Sequence, residues 1–253
     1  MSGEPATAIV LRTVEFSETS LVVTLWTREF GRVSALAKGA RRPKGPFEGS
    51  LDLLSVCRVV VIRKPHAGLD LLTEAKLHRR FRGAEKSLPR TYAGYYVAEM
   101  LRLLTDDHDP HPDLYDLTTL TLGKIDGDEN VPLALLQFDI TALRILGNAP
   151  GVDRCTHCGG DIVPAIRQAF ALDTSGLVCL ICRPLQRQII SIRRNTLETL
   201  QRLLRGEDET FPMDRAVYGE LRGLISRYIQ SLLGKTPRMQ PFLPTKMDTG
   251  SEA

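Results

Sequence analysis

Three features of this 253-residue chain predict an α+β protein: five short β-forming runs before residue 80, apolar positions at helical spacing after Leu77, and two Cys-x-x-Cys pairs between Cys155 and Cys182. The expected layout is an N-terminal barrel over 1–80, a mainly helical domain over 81–240 with an inserted ribbon at about 153–185, and a flexible tail over 241–253.

The strands come first. Ala8, Val10 and Thr13 to Phe16 form one run, and Leu21 to Thr27 a second, with Leu21, Val23 and Leu25 on one face and Val22, Thr24 and Trp26 on the other. A turn over Glu29 to Arg32 leads to a third strand, Val33 to Ala37. The stretch from Lys38 to Pro46 is a loop by its Gly and Pro content and too basic to be buried. Two further runs, Val56 to Arg63 and Leu69 to Ala75, complete five strands with little room for a helix. A small closed barrel of the oligonucleotide-binding (OB) type fits this count, and an SH3-like barrel would read much the same way.

Helical spacing begins with Tyr92, Tyr96, Met100, Leu103 and Leu104, after Pro89 and with Thr91 as a possible N-cap. A second helix is expected around Leu114 to Leu122. The third, Leu133 to Leu146, is apolar on most of its circumference and so belongs at the centre of its domain. Gly147, Asn148 and Pro150 end it just before Cys155. Asn195 to Leu204 and Val217 to Leu233 are two more amphipathic helices, and Thr245 to Ala253 has the composition of a disordered end.

The cysteines carry the most specific chemistry. Cys155 and Cys158 form one pair, Cys179 and Cys182 the other, with 20 residues between the pairs. Each pair can aim two thiolates at one metal, and a hairpin-length spacer brings the pairs together as a Zn²⁺ cage. Four thiolates leave no open coordination position, which makes the expected zinc structural. Zinc loss should then unfold the region locally. His157 lies inside the first pair and is a lesser candidate ligand.

Charge is segregated. The segment 28–44 carries +5, 183–205 carries +5, and 106–129 carries −7, within a formal net charge of +3. Two basic regions on a chain otherwise close to neutral suggest a polyanion, with nucleic acid the first choice. The ribbon itself has only Arg167 against Asp161 and Asp173 between its cysteines, so it is not the expected nucleic-acid surface. Phe16, Trp26, Phe30 and Phe47 are the aromatic side chains available for base stacking near the basic loop, with Trp26 and Phe30 better read as core or rim.

Other functions find little support. No Gly-x-Ser-x-Gly, His-Glu-x-x-His or carboxylate–His cluster occurs, and the five histidines are scattered, so no enzyme is expected. Gly234-Lys-Thr236 fails as a phosphate loop, because Ile229 replaces the required glycine and the segment ends a helix instead of opening one. The N-terminus is polar and no stretch is long enough to cross a bilayer, which points to the cytoplasm.

Taken together, Ile9 to Arg12, Glu18 to Thr27, Gly31, Ala37 to Arg42, Phe138 to Gly147, Ala149-Pro150, Cys155-x-x-Cys158-Gly159 and Ser175 to Cys179 resemble, in order and spacing, the RecO family of bacterial recombination mediators. The resemblance spans about residues 6–240. It implies a non-enzymatic DNA-binding protein of the RecF pathway, cytoplasmic and nucleoid-associated, that binds single- and double-stranded DNA and anneals complementary strands. It further implies help in loading RecA onto strands coated by single-stranded DNA-binding protein (SSB), with RecR and the acidic SSB tail as partners. On this chain the implied DNA-binding positions are Lys38, Arg41, Arg42 and Lys44, with Arg12 and Arg32 in support; Arg183 to Arg205 is a candidate for the SSB tail. The alternative is a zinc-ribbon nucleic-acid-binding protein of transcription or translation.

Overall fold

The computed structural model describes residues 3–43, 45–47, 49–64, 68–207 and 213–244. Lys44 and the segment Thr245 to Ala253 lie outside the described residues, so the expectations placed on them are not addressed by it. Two compact units are present: one runs from the N-terminus to Glu129 and includes Arg238–Leu243, and the other runs from Asn130 to Pro237.

The first unit is built on strands β1 (Glu4–Glu15), β2 (Leu21–Thr27), β3 (Gly31–Ala37), β4 (Val56–Ile62) and β5 (Asp70–Arg79). They close into a barrel in the order β1-β2-β3-β5-β4, with β4 returning to β1. All neighbours are antiparallel except β3 and β5, which run parallel from Ala35 opposite Asp70 to Ala37 opposite Leu72. This is the OB arrangement anticipated from the five strand runs. Alternation fills the barrel: Ala8, Val10, Val23, Leu25, Val33, Ala35, Ala37, Cys57, Val59, Val61 and Leu72 point inward and are buried. Alanine at several of these positions suits a small barrel, whose interior has no room for large side chains from every strand. Cys57 is part of this core; its thiol donates to the Ser50 carbonyl at 2.8 Å, and burial, with the Asp52 charge, pushes it up to about 11, so it stays an inert thiol.

Helices α1 (Gly83–Lys86), α2 (Leu88–Leu104) and α3 (Pro112–Asp126) belong to the same unit. The N-cap of α2 is Ser87, and the Thr91 hydroxyl donates back to the Ser87 carbonyl from inside the helix, correcting the cap expected at Thr91. Between α2 and α3 the acidic segment packs against the β2–β3 turn. Gly31 there has φ +70°, and a Cβ on it would lie 2.2 Å from the Asp109 carbonyl, so both conformation and space require glycine. The segment Arg238–Leu243 closes the unit: the backbone N–H groups of Arg238 and Met239 each donate to a Glu99 carboxylate oxygen at 2.8 Å, and Phe242 packs its ring 5.3 Å from that of Tyr92.

The second unit starts at α4 (Val131–Ile145), whose N-cap Asn130 accepts from the Leu133 N–H. The expected all-round apolar helix is buried along nearly its whole length, Asp139 included. That carboxylate is fully buried and pairs with Arg222 of α6 (Arg215–Leu233) at 2.7 Å. A small sheet in the order β7-β6-β8 follows, from β6 (Arg167–Ala171), β7 (Gly176–Val178) and β8 (Ile189–Arg193), and β8 runs directly into α5 (Arg194–Arg205).

Candidate nucleic-acid interface and metal centre

The loop after β3 is fastened to the β1–β2 turn. Arg41 donates its backbone N–H to the Thr19 carbonyl at 3.0 Å, Gly39 donates to the Ser20 hydroxyl oxygen at 3.3 Å, and Arg42 N–H closes back onto the Gly39 carbonyl. These bonds use backbone groups, leaving the side chains of Lys38, Arg41 and Arg42 exposed. Arg41 also meets Glu15 at 3.1 Å, with both side chains well exposed, an arrangement that holds the guanidinium at the surface and contributes little to stability. Arg12 is exposed on β1, opposite Thr24 and three residues before Glu15.

Arg32 is placed differently. Its guanidinium reaches Asp107 at 2.6 Å and the Arg102 carbonyl at 2.7 Å, and its side chain is only 18% exposed. It lies at the start of β3, second in the strand and about 20 Å from Lys38 along it. Arg28 likewise pairs with Asp116 of α3. The basic run therefore divides: Arg28 and Arg32 are held by the acidic segment, and Lys38, Arg41 and Arg42 face solvent at the other end of the strand. The aromatic candidates divide as sharply. Trp26 is fully buried, Phe47 nearly so, Phe30 packs against the barrel core, and Phe16 stands 62% exposed at the β1–β2 turn.

Most of the second basic run is also neutralised within its own unit. Arg193 and Arg167 both pair with Glu220, Arg194 with Glu198, Arg202 with Glu207, and Arg205 with Asp153 and Glu207. Burial works against the Glu220 charge, but the Thr196 hydroxyl, the Arg193 N–H and the Arg193 guanidinium outweigh it and hold the carboxyl below its ordinary range. Net charge by segment could not reveal most of this pairing, because apart from Glu198 the acids lie outside the segment.

The four cysteines converge: their sulfurs all lie within 4.8 Å of one another, and Cys158 and Cys179 are 3.9 Å apart. The edge of a tetrahedron with metal–sulfur bonds of about 2.3 Å is roughly 3.8 Å, and a disulfide needs about 2.05 Å, so the spacing suits a metal and not a bridge. Two turns set it up. Cys155 and Gly160 are joined by a backbone bond, Gly159 takes φ +73°, and Gly159 N–H returns to the Cys155 carbonyl. Burial opposes ionisation of Cys155, but N–H groups of Cys179, Cys158 and His157 aim at its sulfur and bring it down to about 6. Burial, reinforced by the neighbouring thiols, pushes Cys182 up to about 12. Four thiolates this close need a cation between them, and the donor set fits one thiophilic ion. His157 points elsewhere, its Nδ1 lying 3.3 Å from the Gln186 amide.

With the barrel, helices and cysteine cage in place, comparison with known proteins is decisive. Residues 1–81 match the family model described as recombination protein O N terminal, and residues 85–241 the one described as recombination protein O C terminal. This chain belongs to the RecO family. It is 53% identical to the DNA repair protein RecO of Rhodopirellula baltica, over 96% of this chain and 99% of that one. The RecO proteins of Anaeromyxobacter dehalogenans and Myxococcus xanthus are 32% and 31% identical, each over more than nine-tenths of both chains. The resemblance noted from scattered motifs thus holds across both halves of the chain. Among the described residues no helix is long and apolar enough to cross a membrane.

Proposed function

We propose that this chain is a non-enzymatic DNA-binding recombination mediator acting in DNA repair. It holds single- and double-stranded DNA on Lys38, Arg41, Arg42 and Lys44, with Arg12 at the margin, anneals complementary strands, and works with RecR to load RecA onto SSB-coated strands. The observation that carries this reading is the exposed cation cluster on a loop pinned by backbone hydrogen bonds at the end of β3. Cations held this way neutralise phosphates without fixing a sequence. Two strands on such a surface lose much of their mutual repulsion, which is the main electrostatic barrier to annealing. Arg32 contributes through the fold: its pair with Asp107 holds the acidic segment against the barrel.

The metal of the cysteine cage is Zn²⁺ in this proposal, in a structural role. Zinc suits four thiolates in a tetrahedron, and Cys155 offers a sulfur already biased toward the thiolate. The membership in the RecO family supports RecR and the SSB tail as partners, and a cytoplasmic, nucleoid-associated location. The absence of a catalytic motif in the sequence supports a non-enzymatic role.

The test is DNA affinity by fluorescence anisotropy across a salt series. The variant with Lys38, Arg41, Arg42 and Lys44 changed to Ala should bind single strands more weakly, with a slope of log affinity against log salt shallower by about 2 to 3. An unchanged slope would refute the assignment.

A further inference from the structure

The geometry points to Phe16, beside the outward apolar patch of β1, β2 and β3, as the side chain that separates single strands from duplex. This rests on the DNA-binding reading above and deepens it. Strand register puts Val14 opposite Val22, Val22 opposite Leu36, Leu36 beside Leu71, and Leu71 opposite Ile62. These five aliphatic side chains point outward in sequence round the closed barrel, so Val14, Val22 and Leu36 on the neighbouring strands β1, β2 and β3 form one contiguous patch, with Leu71 and Ile62 farther round. The adjacent positions Val23, Ala35, Ala37, Val61 and Leu72 fill the core. Among the five, Val14 is 41% exposed, and Val22, Leu36, Leu71 and Ile62 are each partly exposed.

The rest of the same outer face is not like this. Ile9 and Trp26, paired across β1 and β2 farther along, are both fully buried. On β1 and β2, outward apolar side chains are thus exposed at the end that carries the basic loop and buried farther along. Phe16 lies two residues beyond Val14, in the turn whose Thr19 and Ser20 anchor that loop. The turn is closed by its own backbone, through Phe16 N–H and Ser17 N–H to the Ser20 carbonyl, so an exposed phenyl is not needed to form it.

An apolar patch bordered by cations fits a polymer with flat apolar faces and an anionic backbone. A single strand supplies both, laying bases on the patch and on Phe16 while its phosphates meet Lys38, Arg41 and Arg42. A duplex hides its base faces in its own stack and can use only the cations. Pairing of two bound strands consequently withdraws bases from Phe16, so the annealed product is held less tightly than the strands that formed it. Release of product follows from the same contact that selects substrate.

Three probes test this: an oligothymidine strand, an abasic strand of the same length, and a blunt duplex, each binding native protein, Phe16→Ala, Phe16→Trp and the Lys38, Arg41, Arg42 to Ala variant. Phe16→Ala should lose about tenfold in affinity for oligothymidine and keep its affinity for the abasic strand and duplex. Phe16→Trp should restore oligothymidine binding, and the salt slope should be the same in all three Phe16 forms. Equal affinity of Phe16→Ala and native protein for oligothymidine, or an equal loss on all three probes, would overturn the inference. If that happens while the loop variant loses binding to every probe, only this inference fails. If the loop variant binds every probe as the native protein does, the DNA-binding reading fails as well.

Discussion

Cys155 and Cys182 sit in different environments within the cysteine cage. Cys155 sits among N–H donors and favours the thiolate, whereas Cys182 is held as a thiol unless a cation is near. Metal analysis should find about one zinc per chain, falling to none in the Cys155→Ser and Cys182→Ser variants, with loss of protection from hydrogen exchange in β6 and β7. A full complement of zinc in either variant would contradict a four-cysteine site. Glu220 makes a second prediction at this scale. Its folded pKa is depressed, so its stabilisation is complete above the ordinary glutamate value near 4.3 and fades as pH falls through the lower folded value. Glu220→Gln should lower the stability of the second unit by about 2 kcal/mol at neutral pH and flatten its acid dependence, measured by urea unfolding at pH 7 and pH 3. The four ligands were legible in the sequence because Cys-x-x-Cys spacing is itself geometry. The role of Arg32 was not, because nothing near it in the chain announces Asp107, 75 residues away.

At the scale of elements, the strands were read well wherever alternation was strict: β2 was placed over Leu21 to Thr27 and lies there. The strand β8 went unread because its five residues fall inside the basic run that continues through α5. Helix starts were read less well, since the Thr91 hydroxyl that suggested a cap serves an intrahelical bond. The outward aliphatic patch was hidden for a different reason. It is assembled from one residue per strand, and only the register, including the shift between Val10 and Arg12, brings those residues into line. The two kinds of arginine in the first basic run give a prediction that separates fold from function. Arg32→Ala should cost about 2 kcal/mol of stability by removing a partly buried charged hydrogen-bond group, as read by chemical denaturation. Arg42→Ala should leave stability within about 0.5 kcal/mol and weaken DNA binding instead. The reverse pattern would mean that the exposed loop is not the functional surface.

For the whole chain, segment charges suggested a polyanion partner, and the ion pairs show which of those charges are already neutralised within the fold. Of the two basic runs, the one that includes α5 is largely spent on Glu198, Glu207, Glu220 and Asp153 inside its own unit, and two cations of the other, Arg28 and Arg32, are tied to the acidic segment. What remains is a compact group of cations at the end of β3, away from the cysteine cage in sequence. In the proposed reading the cage closes a fold, and the barrel meets the polyanion. A chain of modest net charge can thus still present a local group of exposed cations. The most direct measurement of this account is the rate at which complementary oligonucleotides anneal in the presence of the native protein and of the variant with Lys38, Arg41, Arg42 and Lys44 changed to Ala, with and without SSB. The account predicts a fall of at least about tenfold in the variant at moderate salt, with its zinc content and unfolding midpoint unchanged. Undiminished annealing by a variant that folds and holds its metal would contradict it.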